Sequence, residues 1–329
     1  MTVLVTGGAG YIGSHMVLAL RDRGERVAVL DNLSTGFAWA VPPDVAFYGG
    51  DVADQALVKR IIQEHGVTAI CHFAAKIVVP DSVADPLGYY AGNTMASRNL
   101  IEAAVASGVR HFIFSSTAAT YGEPEVMPVG EETPQVPVSP YGRSKLMTEW
   151  MLEDTSRAHD FRYVALRYFN VAGADPFGRT GQSTPNATHL IKAASQAVIG
   201  VRKHLELYGT DYPTPDGTCV RDYIQVTDLA EAHVLALNYL RSGGTSRAFN
   251  CGYGKGFSVR EVIEMVKQVS GVDFPVHVRG RRAGDAAAIV AKADRIRSEL
   301  GWKPEHANLE DIVRQAINWE RHLRARNAA

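Results

Sequence analysis

An α/β fold, a doubly wound parallel sheet joined to a second, smaller mixed α/β domain, is predicted by three features of the 329-residue sequence. Short, nearly continuous apolar runs alternate with helix-period stretches through the first half, as in a parallel sheet covered on both faces. The first run, "VLVT" at 3–6, leads straight into "GGAGYIGS", a glycine-rich turn that opens a helix. After residue 170 the alternation gives way to "AGADPFGRTGQSTPNATHL", rich in Gly, Pro and small polar residues, which reads as a long functional loop entering a second region.

The elements follow in order. Residues 3–6 form a buried strand, and a helix begins near Ile12 with Ile12, Met16 and Leu20 on one face. It stops near Gly24, and "RVAVLD" (26–31) is the next strand; "DVAFY" (44–48), "VTAICHFAA" (67–75), "HFIFSS" (111–116) and "RYVALRYFN" (162–170) continue the series. Helices over 93–107, stopped by Gly108, and over 141–158 lie between them. A strand–helix–strand pattern returns at 218–251 as "VRDYIQV", "DLAEAHVLALNYL" and "RAFNCG", so the chain revisits its first lobe before finishing in the second. An amphipathic helix near 309–325 closes it. The expected division is 1–170, with about 222–252 returning to it, and 171–329 mainly as the second domain.

Composition sets the class. Hydrophobic residues make up 46% and charged residues 21%, as in an ordinary globular protein. A formal net charge of -1 offers no electrostatic footprint for nucleic acid or an anionic membrane. The apolar runs are strand-length, short of the roughly 18 or more residues of a membrane span, and no basic-then-apolar leader precedes the first strand. Cys71, Cys219 and Cys251 are odd in number and far apart, which points to free buried thiols in a reduced, cytoplasmic protein. The eleven histidines show no metal-ligand spacing, so no metal is expected.

The glycine turn carries the first chemistry. Gly7, Gly8, Gly10 and Gly13 stand between strand and helix and satisfy both G-x-G-x-x-G and G-x-x-G-x-x-G. Glycine is needed where backbone turns sharply and approaches a pyrophosphate seated on the helix N-terminus, the Rossmann-type arrangement. Asp31 ends the second strand at the distance for a ribose 2'-hydroxyl. Its charge repels a 2'-phosphate, and "NLSTG" after it has no arginine to receive one, so NAD is expected rather than NADP. Asp51 follows the third strand, placed to bond an adenine amino group, and "HFAA" (72–75) ends the fourth beside the nicotinamide-side ribose.

"SPYGRSK" (139–145) carries the second. Tyr141 and Lys145 are four apart, so on a helix they share a face. A free tyrosine ionises near pH 10, and bringing it close to neutral requires about 4 kcal/mol. A nearby ammonium and a positively charged nicotinamide both favour phenolate, which would let the tyrosine take a proton from a substrate hydroxyl while the cofactor takes a hydride. "SSTAATYG" (115–122) ends the fifth strand with hydroxyls to fix the substrate oxygen, and such strand ends face the ligand crevice of a doubly wound sheet.

At this point the chain resembles the extended short-chain dehydrogenases/reductases. The resemblance rests on "VLVTGGAGYIGSH", "DNLSTG", "FIFSSTAATYG", "SPYGRSK", "LRYFNVAGADP", "YGTDYPTPDGTCVRDYI" and "RRAGD", which run from residue 3 past residue 285. It is greatest to members that interconvert UDP-galactose and UDP-glucose, and it implies transient NAD-dependent oxidation at C4 of a UDP-hexose. By resemblance Thr117, Tyr141 and Lys145 are the catalytic three. Cofactor contacts are then expected from Gly7, Gly10, Tyr11, Ile12, Gly13, Asp31, Asn32, Asp51, Val52, Phe73, Ala74, Ala75, Lys76, Asn93, Ser115, Tyr141, Lys145 and Tyr168. Lys76, in "KIVVPDS", stands one residue earlier than the family's lysine. Asn170, Arg221 and Arg282 resemble diphosphate-binding positions, and Asp285 a uridine-ribose ligand. His189 and Leu190 fall in the segment covering the sugar nucleotide, and Tyr208 resembles the aromatic beside the uracil. "GDAAAIVAKAD" departs from the family in lacking a proline after Asp285. Family members pair helices like 93–107 and 141–158 with a partner's, which implies a homodimer.

Rival reactions are separated by residue type. A nucleotide-sugar dehydratase needs acidic groups directly after the strand-end threonine, where this chain has Ala118 and Ala119. A plain NAD-dependent dehydrogenase would keep the catalytic three but release NADH each turnover, and an NAD-sensing scaffold would have no use for Tyr141 and Lys145 together. A 4-epimerase of another UDP-sugar, an N-acetylhexosamine or a pentose, remains open. By resemblance Ile289 lies beside the sugar 2-substituent, where its bulk would favour UDP-glucose and UDP-galactose over their N-acetyl analogues; it equally reads as a core residue of "AAIVA".

Overall fold

The chain is described by a computed structural model covering residues 1–184, 187–282 and 284–328. Its strands are β1 (Thr2–Thr6), β2 (Arg26–Asp31), β3 (Ala46–Gly49), β4 (Val67–His72), β5 (His111–Ser115), β6 (Arg162–Tyr168), β7 (Asn170–Ala172), β8 (Leu205–Tyr208), β9 (Val220–Gln225), β10 (Arg247–Cys251), β11 (Gly256–Ser258), β12 (Val276–Arg279) and β13 (Ala288–Ile289). The helices are α1 (Tyr11–Arg21), α2 (Gln55–His65), α3 (Val79–Ala84), α4 (Pro86–Tyr89), α5 (Ala96–Ala106), α6 (Pro140–Ala158), α7 (Leu190–Val198), α8 (Val226–Arg241), α9 (Val259–Ser270), α10 (Asp294–Leu300) and α11 (Leu309–Ala328).

Seven strands form one parallel sheet in the order β10-β6-β5-β4-β1-β2-β3. Alternation along each strand divides its side chains between two cores. Val3, Val5, Val29, Cys71, Ile113, Val164 and Leu166 face α1 and α8, packing on Met16, Leu20, Leu229 and Leu237. Leu4, Leu30, Ile70, Phe112 and Phe114 face α2, α5 and α6, packing on Val58, Ile61, Leu100 and Leu152. Truncating a fully buried side chain such as Leu4 to alanine costs about 2–5 kcal/mol.

The strand expected over 67–75 ends at His72 because Phe73–Ala75 leave the sheet to run beneath the glycine turn. The helix expected from 93 starts instead with a π-helical turn, Tyr90–Met95, continuous with α5. α6 begins where its sequence says it should. Ser139 is the N-cap and accepts from Gly142 N at 3.2 Å, with Pro140 at the first helical position.

The second region has a four-stranded sheet in which β9 pairs with antiparallel β11 and with parallel β7 and β13, and a separate pair of parallel strands, β8 and β12. α7, α9 and α11 enclose its core around Ile191, Val262, Ile312 and Val313. Of the stretch expected to return to the first lobe, α8 and β10 do so, whereas its opening strand β9 belongs to the small sheet. No helix among the described residues is long and apolar enough to cross a membrane.

Candidate active site

The glycine turn crosses the carboxyl ends of the first strands. Gly7 has φ +72°, and a Cβ there would lie 2.6 Å from Ala74 N, so only glycine lets the two backbones pass. A Cβ on Gly13 would lie 2.1 Å from Gly7 O, which is why α1 can sit against the turn. Gly10 is the N-cap of α1; no side chain caps this helix, and its first turn holds no acidic residue. A helix start of that kind attracts an anion, and these residues fit a dinucleotide pyrophosphate. Ile12 is half-buried in the first turn, and the Tyr11 hydroxyl donates to Gly173 O at 2.8 Å, tying the turn to the loop after β7.

Asp31 is buried at the end of β2. Its carboxylate accepts from Ala9 N at 2.9 Å and from Leu33 N at 2.8 Å, so it also braces the turn. Exposed Asn32 donates to Asp51 at 3.2 Å, Asp51 accepts from Ala53 N at 2.8 Å, and Val52 is buried beside them.

Tyr141 and Lys145 share one face of α6 against the end of β5, and both are buried. Lys145 Nζ donates to Ser115 O at 2.9 Å and lies 4.9 Å from the centre of the Phe114 ring. Thr117 accepts from Ala119 N at 3.2 Å, capping the short 3-10 turn Ala118–Thr120, and its hydroxyl is also beside the Tyr141 phenol. The Ser115 and Tyr168 hydroxyls bond each other. Burial pushes Tyr141 up to about 12, with Thr117 pulling it down and Tyr89 adding to the rise. Burial likewise lowers Lys145 to about 7, against the opposing pull of Glu149. The lowered tyrosine expected from a neighbouring ammonium is therefore not produced by the protein groups. Burial outweighs them, and the ammonium is directed at the Ser115 carbonyl.

Asn93, in the π-helical turn, donates to Lys76 O and to Ser144 Oγ at 3.0 Å each and accepts from Lys76 N at 2.8 Å. Such turns often mark functional positions. Only the backbone of Lys76 joins this arrangement. Its half-exposed ammonium lies 3.8 Å from Asp85 and 5.7 Å from the centre of the Tyr89 ring. Half-buried Phe73 packs on His233 with ring centres 4.8 Å apart, and Ala75, two residues on, is also half-buried.

The second region supplies the remaining expected residues. Asn170 opens β7; His189 and Leu190 begin α7 and, with Asn170, line a small, partly open pocket. His189 Nδ1 accepts from Gln182 Nε2 at 2.7 Å, and burial lowers the imidazole to about 4, so it is neutral. The Arg221 guanidinium lies 3.8 Å from the Asp285 carboxylate, and Arg221 is opposite Ile289 in the β9–β13 register. Ile289 is buried in the core shared with α8. The Arg282 guanidinium stacks 3.7 Å from the centre of the Tyr208 ring, and the Tyr208 hydroxyl bonds Glu206. Ala283, within "RRAGD", lies outside the described residues.

The expected residues thus gather into a glycine turn, a hydroxyl-and-amine group at the end of β5, and two clusters in the second region; the Lys76 side chain stands apart. Sequence reasoning missed Gln182, His233 and the buried Glu149–Arg167 pair. Of these, only Glu149 carried a signal, standing one turn beyond Lys145.

Comparison with known proteins agrees with this geometry. The model of the NAD dependent epimerase/dehydratase family matches residues 3–252. The chain is 56% identical to a UDP-glucose 4-epimerase of Azospirillum brasilense, over 98% of this chain and 92% of that one. It superposes with TM-score 0.93 on the UDP-glucose 4-epimerase of Brucella ovis in complex with NAD, at 45% identity and over 96% and 97% of the two chains. The UDP-Glc/GlcNAc 4-epimerase of Campylobacter jejuni is 47% identical with TM-score 0.85, over 98% and 99%.

Proposed function

The chain belongs to the NAD dependent epimerase/dehydratase family, and from that premise we propose that it interconverts UDP-galactose and UDP-glucose, the UDP-glucose 4-epimerase reaction. The observation that carries the proposal is the meeting of Thr117, Tyr141 and Lys145 at the end of β5, beside a glycine turn fitted to a dinucleotide. Its cofactor is NAD. Residues 1–170, with α8 and β10, form the NAD-binding part in this reading, and the rest mainly holds the UDP-sugar.

Bound NAD supplies the acceptor and donor of the C4 hydride. Tyr141 takes the proton of the sugar 4-hydroxyl and later returns it, and Thr117 fixes that oxygen. Burial holds Tyr141 up, so positive charge brought beside it would favour the phenolate. Lys145 supports the phenolate within a face it shares with the tyrosine. Asn170, Arg221 and Arg282 grip the diphosphate, arginine being suited to it by its fixed donors. Asp285 takes the uridine ribose, Tyr208 lies by the uracil, and His189 and Leu190 cover the sugar nucleotide. With the UDP held by these residues, the oxidised sugar would be free to turn and present its other face to the cofactor.

The test is conversion of UDP-galactose to UDP-glucose by protein carrying its own NAD. Tyr141→Phe should lower kcat about 10²–10⁴-fold. Activity within a few-fold of the unchanged protein would show that the base is misassigned, and steady accumulation of NADH would favour a plain dehydrogenase. The similarity to an enzyme of both UDP-Glc and UDP-GlcNAc keeps N-acetylated sugars as the second reading. Exposed Met95 and Trp150, just before α5 and on α6, support the homodimer expected through these helices. Three free buried thiols support a reducing, cytoplasmic setting.

A further inference from the structure

Beside the catalytic groups lies a buried ion pair that the proposed reaction does not use. Glu149 follows Lys145 by one turn of α6, and both it and Arg167 of β6 are 6% exposed. Arg167 Nε donates to the two carboxylate oxygens at 3.1 and 3.2 Å, and its Nη2 donates to one of them at 2.6 Å. Nη1 donates to the Tyr121 hydroxyl at 3.0 Å, which donates in turn to Asn250 Oδ1 at 2.6 Å. Gln135 Nε2 approaches the carboxylate at 3.3 Å, and the Ser116 hydroxyl donates to its Oε1.

Ser116 is the middle of three consecutive residues whose neighbours both serve the reaction. On one side the Ser115 carbonyl accepts from Lys145 Nζ, and on the other Thr117 offers its hydroxyl beside Tyr141. α6 is therefore fastened to the end of β5 twice, by Lys145 and one turn later by Glu149, while Arg167 fastens Glu149 to β6. A buried ion pair is often no more stabilising than well-packed apolar side chains of the same volume. What this one supplies is a fixed position.

We infer that Glu149, oriented by Arg167, is a positioning residue for the reaction: through Ser116 it sets where Thr117 and the Ser115 carbonyl stand relative to Tyr141 and Lys145. The inference rests on Thr117, Tyr141 and Lys145 being the catalytic set. Misplacing reacting groups by about 1 Å can lower a rate about 100-fold without altering binding.

The test uses the NAD-bound protein. Ser116→Ala removes a fully buried hydroxyl and leaves Glu149 paired with Arg167, so no charge is orphaned. Its kcat for UDP-galactose should fall roughly 10–100-fold, with KM, bound NAD and the affinity for UDP unchanged. Ser116→Thr, which keeps the hydroxyl, should restore most of the rate. Glu149→Gln should lose a similar factor, and the double variant should be no worse than the poorer single, because both cut one link. Glu149→Gln leaves a buried guanidinium unpaired and can unfold the chain, so the two Ser116 variants decide alone. An unchanged kcat in Ser116→Ala, a loss that threonine does not restore, or additive effects would overturn the inference while an inactive Tyr141→Phe keeps the catalytic set standing. An active Tyr141→Phe would overturn both.

Discussion

Replacing Lys145 with methionine should stabilise the protein in acid and destabilise it in alkali. The lysine is 3% exposed, and burial lowers it from 10.5 to about 7. A group lowered in this way resists folding when charged, so below pH 7 the folded chain carries the whole penalty. As the pH rises from 7 towards 10.5, the folded lysine is already neutral while the unfolded one still binds a proton, and the penalty fades. The shift corresponds to roughly 4–5 kcal/mol. Methionine removes it but loses the bond to Ser115 O, leaving a buried carbonyl unsatisfied at about 1–3 kcal/mol, and the contact with Phe114, worth about 1 kcal/mol. In acid the balance favours methionine by about 0–3 kcal/mol, whose middle is on the order of 2 °C in Tm for a chain this long; by pH 10 the sign should reverse. Thermal melting of nucleotide-stripped wild type and Lys145→Met from pH 6 to 10 reads this directly, alongside the loss of epimerase activity. A Tm difference that stays constant across that range would refute the reasoning, because it would mean that the ammonium is not desolvated in the fold.

Asp31→Ala should weaken NAD and relax the exclusion of NADP, measured by titrating both nucleotides; equal affinity of the unchanged protein for the two would remove the role given to Asp31. Ile289→Ser should raise kcat/KM for UDP-N-acetylglucosamine relative to UDP-glucose by roughly 10–200-fold. No gain would leave Ile289 as a core residue alone, as its burial among the neighbours of α8 allows. Lys76→Ala should leave NAD affinity within about twofold, since only the Lys76 backbone is held by Asn93 and its surface pairing contributes about 0–1 kcal/mol. A tenfold loss would place the ammonium on the cofactor.

Periodicity located most of the large sheet, because its strands are buried on both faces and read as apolar runs. "RVAVLD" forms β2 without a residue to spare. It failed where chain direction is set by a distant partner. Phe73–Ala75 are as apolar as the strand before them, yet must leave the sheet to pass Gly7. "VRDYIQV" looks like any strand of the large sheet, but its partners β7, β11 and β13 come from three separate stretches. For the candidate site, residue type and spacing singled out the glycines, Asp31, Tyr141 and Lys145. The direction of the tyrosine's shift was not legible, because desolvation depends on everything packed around the phenol rather than on its helical neighbour. The Arg167–Glu149 pair was hidden because its members are eighteen residues apart and meet only across β6 and α6.

The strand order carries a consequence for how the protein is made. β10 is the outermost strand beside β6, and α8 lies on α1, yet both are translated long after β6 has emerged from the ribosome. Synthesis from Tyr168 to Cys251, at about 5–20 residues per second, takes on the order of ten seconds. Throughout that interval the nascent sheet presents a bare edge at β6, and the faces of Met16, Leu20 and Leu166 lack Leu229, Leu237 and Phe249. An open edge beside exposed apolar surface is what invites aggregation and chaperone capture. A fragment ending at residue 170 would keep that bare edge and exposed apolar face for good, because the strand and helix that cover them lie beyond residue 225.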